Sequence, residues 1–236
     1  MKTHVFKPKY IFILVIAFSF LSWPSRGQEN TPSVSNETQA LQVMSLTRSQ
    51  DGYLLELKNS SNKSINGYVI AIDTTKRTVD LTAGEGVVAP GDVAQIFVPD
   101  SQLSTHSGGT AQQQHIIILS VTFEDHTSEG DGSTISALED RRLGVKLQLS
   151  RLRPLLEAAI ASPDSDSPAV LNRLRAQILS LPDDTDPTLS PYVKSGFRYA
   201  REDMLTDIQK LQQSNMSIRR GLIKLNEHSN RRIRRL

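Results

Sequence analysis

Residues 53–72 read YLLELKNSSNKSINGYVIAI, and they decide the fold of the first half of the chain. Leu55 and Leu57 alternate with Glu56 and Lys58, the two-residue period of a strand with one wet face. Val69, Ala71 and Asp73 alternate in the same way with Ile70 and Ile72. The connector from Asn59 to Ser64 is a turn by its Asn and Ser content.

Working outward, similar runs recur at short spacing: ALQVMSLTR at 40–48, TVDL at 78–81, VAQIFVP at 93–99 and HIIILSVTFE at 115–124. Ala89-Pro90-Gly91-Asp92 is a turn between two of them. No helical period intervenes, so 40–131 predicts an antiparallel β-sandwich, with the wholly apolar Ile116–Leu119 in a central strand. Gln102 to Gln114 is polar, contains Ser107-Gly108-Gly109 and three consecutive Gln, and predicts a mobile loop. Residues 28–39 predict a flexible leader.

At LKNSSNKSINGYVIAI, APGD and VTFEDHTSEGD the chain resembles the exported immunoglobulin-like β-sandwich proteins of bacteria, in which a Leu-x-Asn-x-Ser strand end and a late Phe-Glu-Asp-Gly-Thr hairpin recur. The resemblance covers about 90 residues. It implies an immunoglobulin-like fold and brings no activity with it. His126 stands where that pattern has Gly, and His tolerates the left-handed backbone of a tight turn less readily.

The chain has 236 residues, 27 Lys and Arg against 25 Asp and Glu, and no cysteine. Zero cysteine excludes disulfide scaffolds, thiolate metal sites, cysteine nucleophiles and a lipid-modified N-terminal cysteine. The formal charge of +2 averages unlike parts: residues 1–27 carry +4, 28–189 carry −9 and 190–236 carry +7. Lys2, Lys7 and Lys9 precede the apolar run ending at Trp23, and Ser25 and Gly27 supply small residues at a cleavage site. That order predicts a signal peptide over 1–27, hence an exported protein, periplasmic or extracellular, or membrane-anchored if the segment is kept.

Glu124, Asp125, His126, Glu129 and Asp131 form the densest cluster of acid–base groups. Asp125, His126, Glu129 and Asp131 are candidate metal ligands, since carboxylates and imidazole can hold Ca²⁺ or a transition metal. The alternative is a hairpin turn at Asp125-His126 leading into a helix capped by Asp131 or Ser133. No catalytic constellation or phosphate-cradling loop is present and no cofactor is expected.

From Ser133 the period becomes helical. Ser133 to Ala161 predicts a helix kinked or divided near Leu152 by Pro154; Ser167-Pro168 opens a second, running to about Leu181. Together, 132–189 reads as two helices with Pro-rich loops. From Ser190-Pro191, the residues Val193, Phe197, Ala200, Met204, Ile208, Leu211, Asn215, Ile218, Leu222, Leu225 and Ser229 follow in steps of three and four, a heptad seam with one stutter. Residues 190–236 thus predict a single long basic helix, about 65 Å if continuous, with Asn215 either setting register at the seam or exposed. Arg219, Arg220, Lys224, Arg231, Arg232, Arg234 and Arg235 exceed what the helix dipole calls for. They suit a protein partner or self-association, or an anionic membrane surface. Without aromatic residues between them, nucleic acid is not expected. The fold class expected is α+β: an immunoglobulin-like antiparallel sandwich followed by helices.

Overall fold

The computed structural model describes residues 31–73, 75–84, 86–103, 114–182 and 186–236. The segment expected to be a signal peptide and most of the Gln-rich stretch lie outside the described residues. Eight strands precede four helices among the described residues: β1 Ser33–Asn36, β2 Leu41–Ser49, β3 Gly52–Asn59, β4 Ile65–Ile72, β5 Thr75–Asp80, β6 Val93–Pro99, β7 His115–Phe123, β8 Ser128–Gly130, then α1 Gly132–Ala161, α2 Pro168–Leu179, α3 Pro191–Gln213 and α4 Ile218–Arg235. The α+β expectation is met.

The strands form two open sheets. One has the order β1-β7-β4-β5, with β8 also on β7; the other is β2-β3-β6. Their inner faces share one core: Leu55 and Leu57 of β3 and Ile96 and Val98 of β6 meet Ile70 and Ile72 of β4 and Ile116, Ile118 and Val121 of β7. The alternation at β3 does what it predicted, because Leu55 and Leu57 are fully buried while Glu56 turns out to bond Ser45 and Gln95. In β4 every residue is buried. The second face of β4 and β7, with Val69, Ala71 and Leu119, makes a small cluster of its own.

Two sequence expectations are corrected in this half. Part of the leader is strand: Ser33–Asn36 pairs with β7, with Val34 turned to the core. Its polar composition hid it, since one apolar side chain suffices to seat so short a strand. That pairing is also parallel, so the sheet is not antiparallel throughout.

α1 starts where the sequence allows, with Asp131 as its cap: the carboxylate accepts from Ser133 N at 3.3 Å and Thr134 N at 3.2 Å. Its first turns lie on the outer face of the larger sheet. Thr134 Oγ1 donates to Ser120 Oγ at 2.9 Å, and a Cβ on Gly67 would meet Arg142 and Leu138. Arg142 reaches the carbonyl and side chain of Asn66 at 3.0 and 3.1 Å and Asp80 at 3.1 Å. Thr122 Oγ1 completes this buried polar set at 2.8 Å from Asn66.

The expected division near Leu152 does not occur, and α1 runs unbroken through Pro154. Ser150, whose carbonyl loses its donor to the proline ring, is exposed, as is Pro154. Water can satisfy that carbonyl, so the break is not forced.

The single long helix of 190–236 is also corrected. α3 ends at Gln213 and α4 begins at Ile218. Ser214 closes α3 with both its amide and hydroxyl on the Leu211 carbonyl, and Ser217 opens α4 by accepting from Arg220 N at 3.4 Å. Asp166, from the loop before α2, accepts from Ser217 Oγ at 2.6 Å and from Arg219 N at 3.0 Å. Serine hydroxyls compete for helix hydrogen bonds at both ends of the QSNMS stretch, and the carboxylate rewards the interruption. Asn215 is therefore exposed in the connection, not buried on a seam.

The four helices alternate in direction around a second core. Val145, Leu149, Leu152 and Leu156 of α1, Val170, Leu171, Leu174 and Ile178 of α2, Ala200, Met204, Ile208 and Leu211 of α3, and Leu222 of α4 make it up. α1 and α3 touch backbone to backbone. A Cβ on Gly144 would lie 2.0 Å from the Val193 carbonyl oxygen, and one on Gly196 would lie 2.2 Å from that of Arg141. Neither obstacle is a side chain that could swing away.

Gly144→Ala or Gly196→Ala is expected to lower stability by about 2 kcal/mol or more, since overpacking outweighs alanine's helix propensity. Gly132→Ala, with open space around it, is expected to be neutral or stabilising. Thermal and urea unfolding of the three variants checks this; an unchanged midpoint in both bundle variants would rule out the close crossing.

Candidate functional site

The acidic hairpin is a structural turn whose side chains point apart. Glu124, Asp125 and His126 link β7 to β8, and Phe123 N donates to the Thr127 carbonyl across the loop at 3.0 Å. His126 takes φ +63°, the left-handed conformation this three-residue loop requires. Asp125 lies 2.8 Å from Lys63 Nζ and accepts from Thr127 N at 3.1 Å and Thr127 Oγ1 at 2.5 Å. The Lys63 ammonium and the Thr127 donors hold its carboxyl at about 2. Glu129 accepts from Gln39 N, and Asp131 caps α1. Hydrogen bonding from Ser133 keeps the Asp131 carboxyl below its ordinary range. Asp125, Glu129 and Asp131 are thus each committed elsewhere, and His126 serves the turn through its backbone. Among the described residues no group of three or more His, Asp or Glu is placed to hold a metal ion.

The basic helix is arranged by the bundle. Leu222 is buried, and Ile218, Leu225, Ile233 and Leu236 pack against the bundle core. Opposite them, at 100° per residue, Arg220, Lys224, Arg231, Arg234 and Arg235 fall within a sector of about 100° and extend over about 22 Å. All five are exposed, with Glu227 among them. Arg219 is exposed at the helix start, where a cation opposes the dipole, and Asp166 beside it offsets that charge.

Arg232 is the exception. It is 2% exposed, its Nη1 donates to Asp203 of α3 at 2.8 Å, and its guanidinium lies 5.3 Å from the Tyr199 ring centre. Arg141 of α1 stacks on the same ring at 4.8 Å. Of the predicted seam, Phe197, Met204, Ile208 and Leu211 on α3 and Leu222 on α4 are buried, Ile218 and Leu225 are half-buried, and Asn215 is exposed. The seam is spent inside one chain, because α4 folds back antiparallel onto α3: Arg232 meets Asp203 and Gly221 sits against Leu211. A helix that has folded back cannot offer that seam to a second chain.

Sequence reasoning missed Arg142 and Lys146, which face the hairpin from α1, and the setting of His115, whose ring nitrogens contact the Ser33 and Ser35 hydroxyls. Scattered single residues gave no motif. The i, i+2 serines opposite a strand-initiating His were the one available signal.

Two outcomes are expected here. Lys63→Met should raise the Asp125 carboxyl toward its ordinary 3.8 in a ¹³C carboxyl titration, because it removes the largest cause of the depression. The sign follows: a carboxyl depressed in the folded state adds stability above the ordinary range, and that stability disappears as pH falls through about 2. An Asp125 that titrates alike in both proteins would contradict the assignment. Asp203→Ala should destabilise by about 2 kcal/mol or more, since it leaves the buried Arg232 cation unpaired; a chemical unfolding midpoint equal to that of the parent chain would contradict it.

No family model matches the chain, and neither a curated protein nor a solved structure is similar to it at a significant level.

Proposed function

We propose that this chain is a non-catalytic exported binding protein, an immunoglobulin-like β-sandwich with a helical bundle attached, which docks on an acidic protein surface through the outward ridge of α4. Export is supported by the charged, apolar and small-residue order of residues 1–27. No helix among the described residues is long and apolar enough to cross a membrane. The immunoglobulin-like reading draws support from connectivity: the chain crosses between sheets after β1, β3, β5 and β6, leaving β3 beside β6 and β4 beside β7.

One observation carries the docking reading. The bundle buries the apolar side of α4 and leaves Arg220, Lys224, Arg231, Arg234 and Arg235 in a straight exposed row. An amphipathic helix lying in a membrane interface needs its apolar side for the acyl region, and here that side is engaged with α1 and α3. Membrane attachment of that kind requires the bundle to open; docking on an acidic protein face does not. Each exposed ion pair contributes about 0.2–1 kcal/mol, so five together give at most about 5 kcal/mol, binding no tighter than about 0.2 mM by charge alone. The ridge therefore chiefly steers and orients a partner that adds contacts of its own. A second copy, through the −9 stretch of residues 28–189, is an allowed partner.

Residues 28–236 should bind immobilised polyglutamate, a stand-in for an acidic protein face, at low salt and release it as the screening length falls from about 10 Å at 0.1 M toward 3 Å at 1 M. Arg220→Glu, Lys224→Glu and Arg231→Glu combined should weaken binding by about tenfold or more. Light scattering at low salt reports self-association. Undiminished polyglutamate binding by the triple variant, or binding to anionic vesicles only, would overturn the proposal.

A further inference from the structure

The geometry points to a second, smaller site: a phosphate-binding cleft where the C-terminal end of α4, α1 and the β7–β8 hairpin converge. A cleft of about 240 Å³ lies between them, and one of about 220 Å³ adjoins it. The two share Asn66, His126 and Arg235, so they form one continuous recess.

Four cations line the recess: Arg142 and Lys146 from α1, and Arg234 and Arg235 from α4. Against them stand Glu139 and Glu124. The elements are unrelated in sequence, and only the return of α4 along α1 brings their cations together. Arg142 is held rigid by Asn66 and Asp80, yet its buried Nε has no hydrogen-bond partner. Lys146 is exposed at the other side. Further polar groups, the Asn66 side-chain amide and the His126 ring, edge the same cleft.

That donor set favours phosphate over other anions. It combines an Arg guanidinium, a fixed planar fork, with Lys, a mobile point charge, and polar side chains beside them for the remaining oxygens. Leu143 and Phe123 line the same cleft and give a short apolar flank, so the phosphate can carry a small organic group. The source is a soluble phosphoester or a phospholipid headgroup, both of which present the same dianionic oxygens. The cleft shares Arg234 and Arg235 with the α4 ridge, and Lys146, on α1 outside that ridge, is the cation that tells the two surfaces apart.

Calorimetric titration of residues 28–236 with inorganic phosphate and pyrophosphate tests it. Saturable binding is expected, weakened by about tenfold or more in Lys146→Gln and in Arg235→Gln, and unchanged in Lys224→Gln, which removes a cation of the ridge away from the cleft. Polyglutamate binding by Lys146→Gln should stay as in the parent chain, which separates failure of this site from failure of the docking ridge. Vesicles of phosphatidylcholine with and without phosphatidic acid identify the source. Sedimentation with phosphatidic acid that inorganic phosphate displaces assigns a headgroup; phosphate binding without sedimentation assigns a soluble ester. No saturable heat, or equal weakening in Lys224→Gln, would overturn the proposal, the second because it would mean a diffuse field and no site.

Discussion

The bundle depends on the approach of α1 to α3 at Gly144 and Gly196, whose Cα atoms come so close that an added Cβ on either would meet the other. With no side chain between them, the helix backbones touch, and the residues on either side fall into one core. Val145, Leu149 and Leu152 then meet Ala200 and Met204, each buried leucine contributing roughly 1.5–3 kcal/mol relative to exposure. α3 sets the direction of α4 through the serine-flanked reversal at 214–217. α4 in turn carries the cations to where they are displayed. The two proposed binding surfaces are consequences of this packing, since both require α4 to lie along α1.

α4 is the least firmly held of the long helices. α3 buries Val193, Phe197, Ala200, Met204, Ile208 and Leu211, whereas α4 buries Leu222 as its one large apolar side chain. Polar contacts make up the difference: the Asp166 cap at one end and the Arg232–Asp203 pair near the other. A buried pair adds little net stability against an apolar substitute, but it fixes position, because a shifted α4 would leave Arg232 buried and unpaired. Specificity of placement is what a charged ridge needs.

The β half was readable from residues because strand alternation is local. Leu55 and Leu57 announced their inward face, Ile116–Leu119 a central strand, and Asp131 its cap, and each follows from chemistry within a few positions. β1 was hidden because its pairing with β7 is some 80 residues distant in sequence. The heptad seam of 193–229 was real as a burial pattern and wrong as a continuous helix. A run of threes and fours records which residues are apolar, and a helix folded back on itself uses the same residues as one that continues. The break lay in Ser214 and Ser217 together with Asp166, and the last is some 50 residues away. Arg142 and Lys146 were invisible for the same reason: their setting is tertiary.

The reversal of α4 is the central claim, and the absence of native cysteine makes it directly measurable. Spin labels attached through Glu202→Cys and Arg231→Cys in one chain report the separation by pulsed electron resonance. Helices packed antiparallel at 8–10 Å between axes put the labels within about 25 Å of each other. A continuous helix from Pro191 to Arg235 would put them about 44 Å apart. A single distribution at the short distance, unaffected by dilution with unlabelled protein, is the result expected; a population centred at the long distance would contradict the bundle and both surfaces built on it.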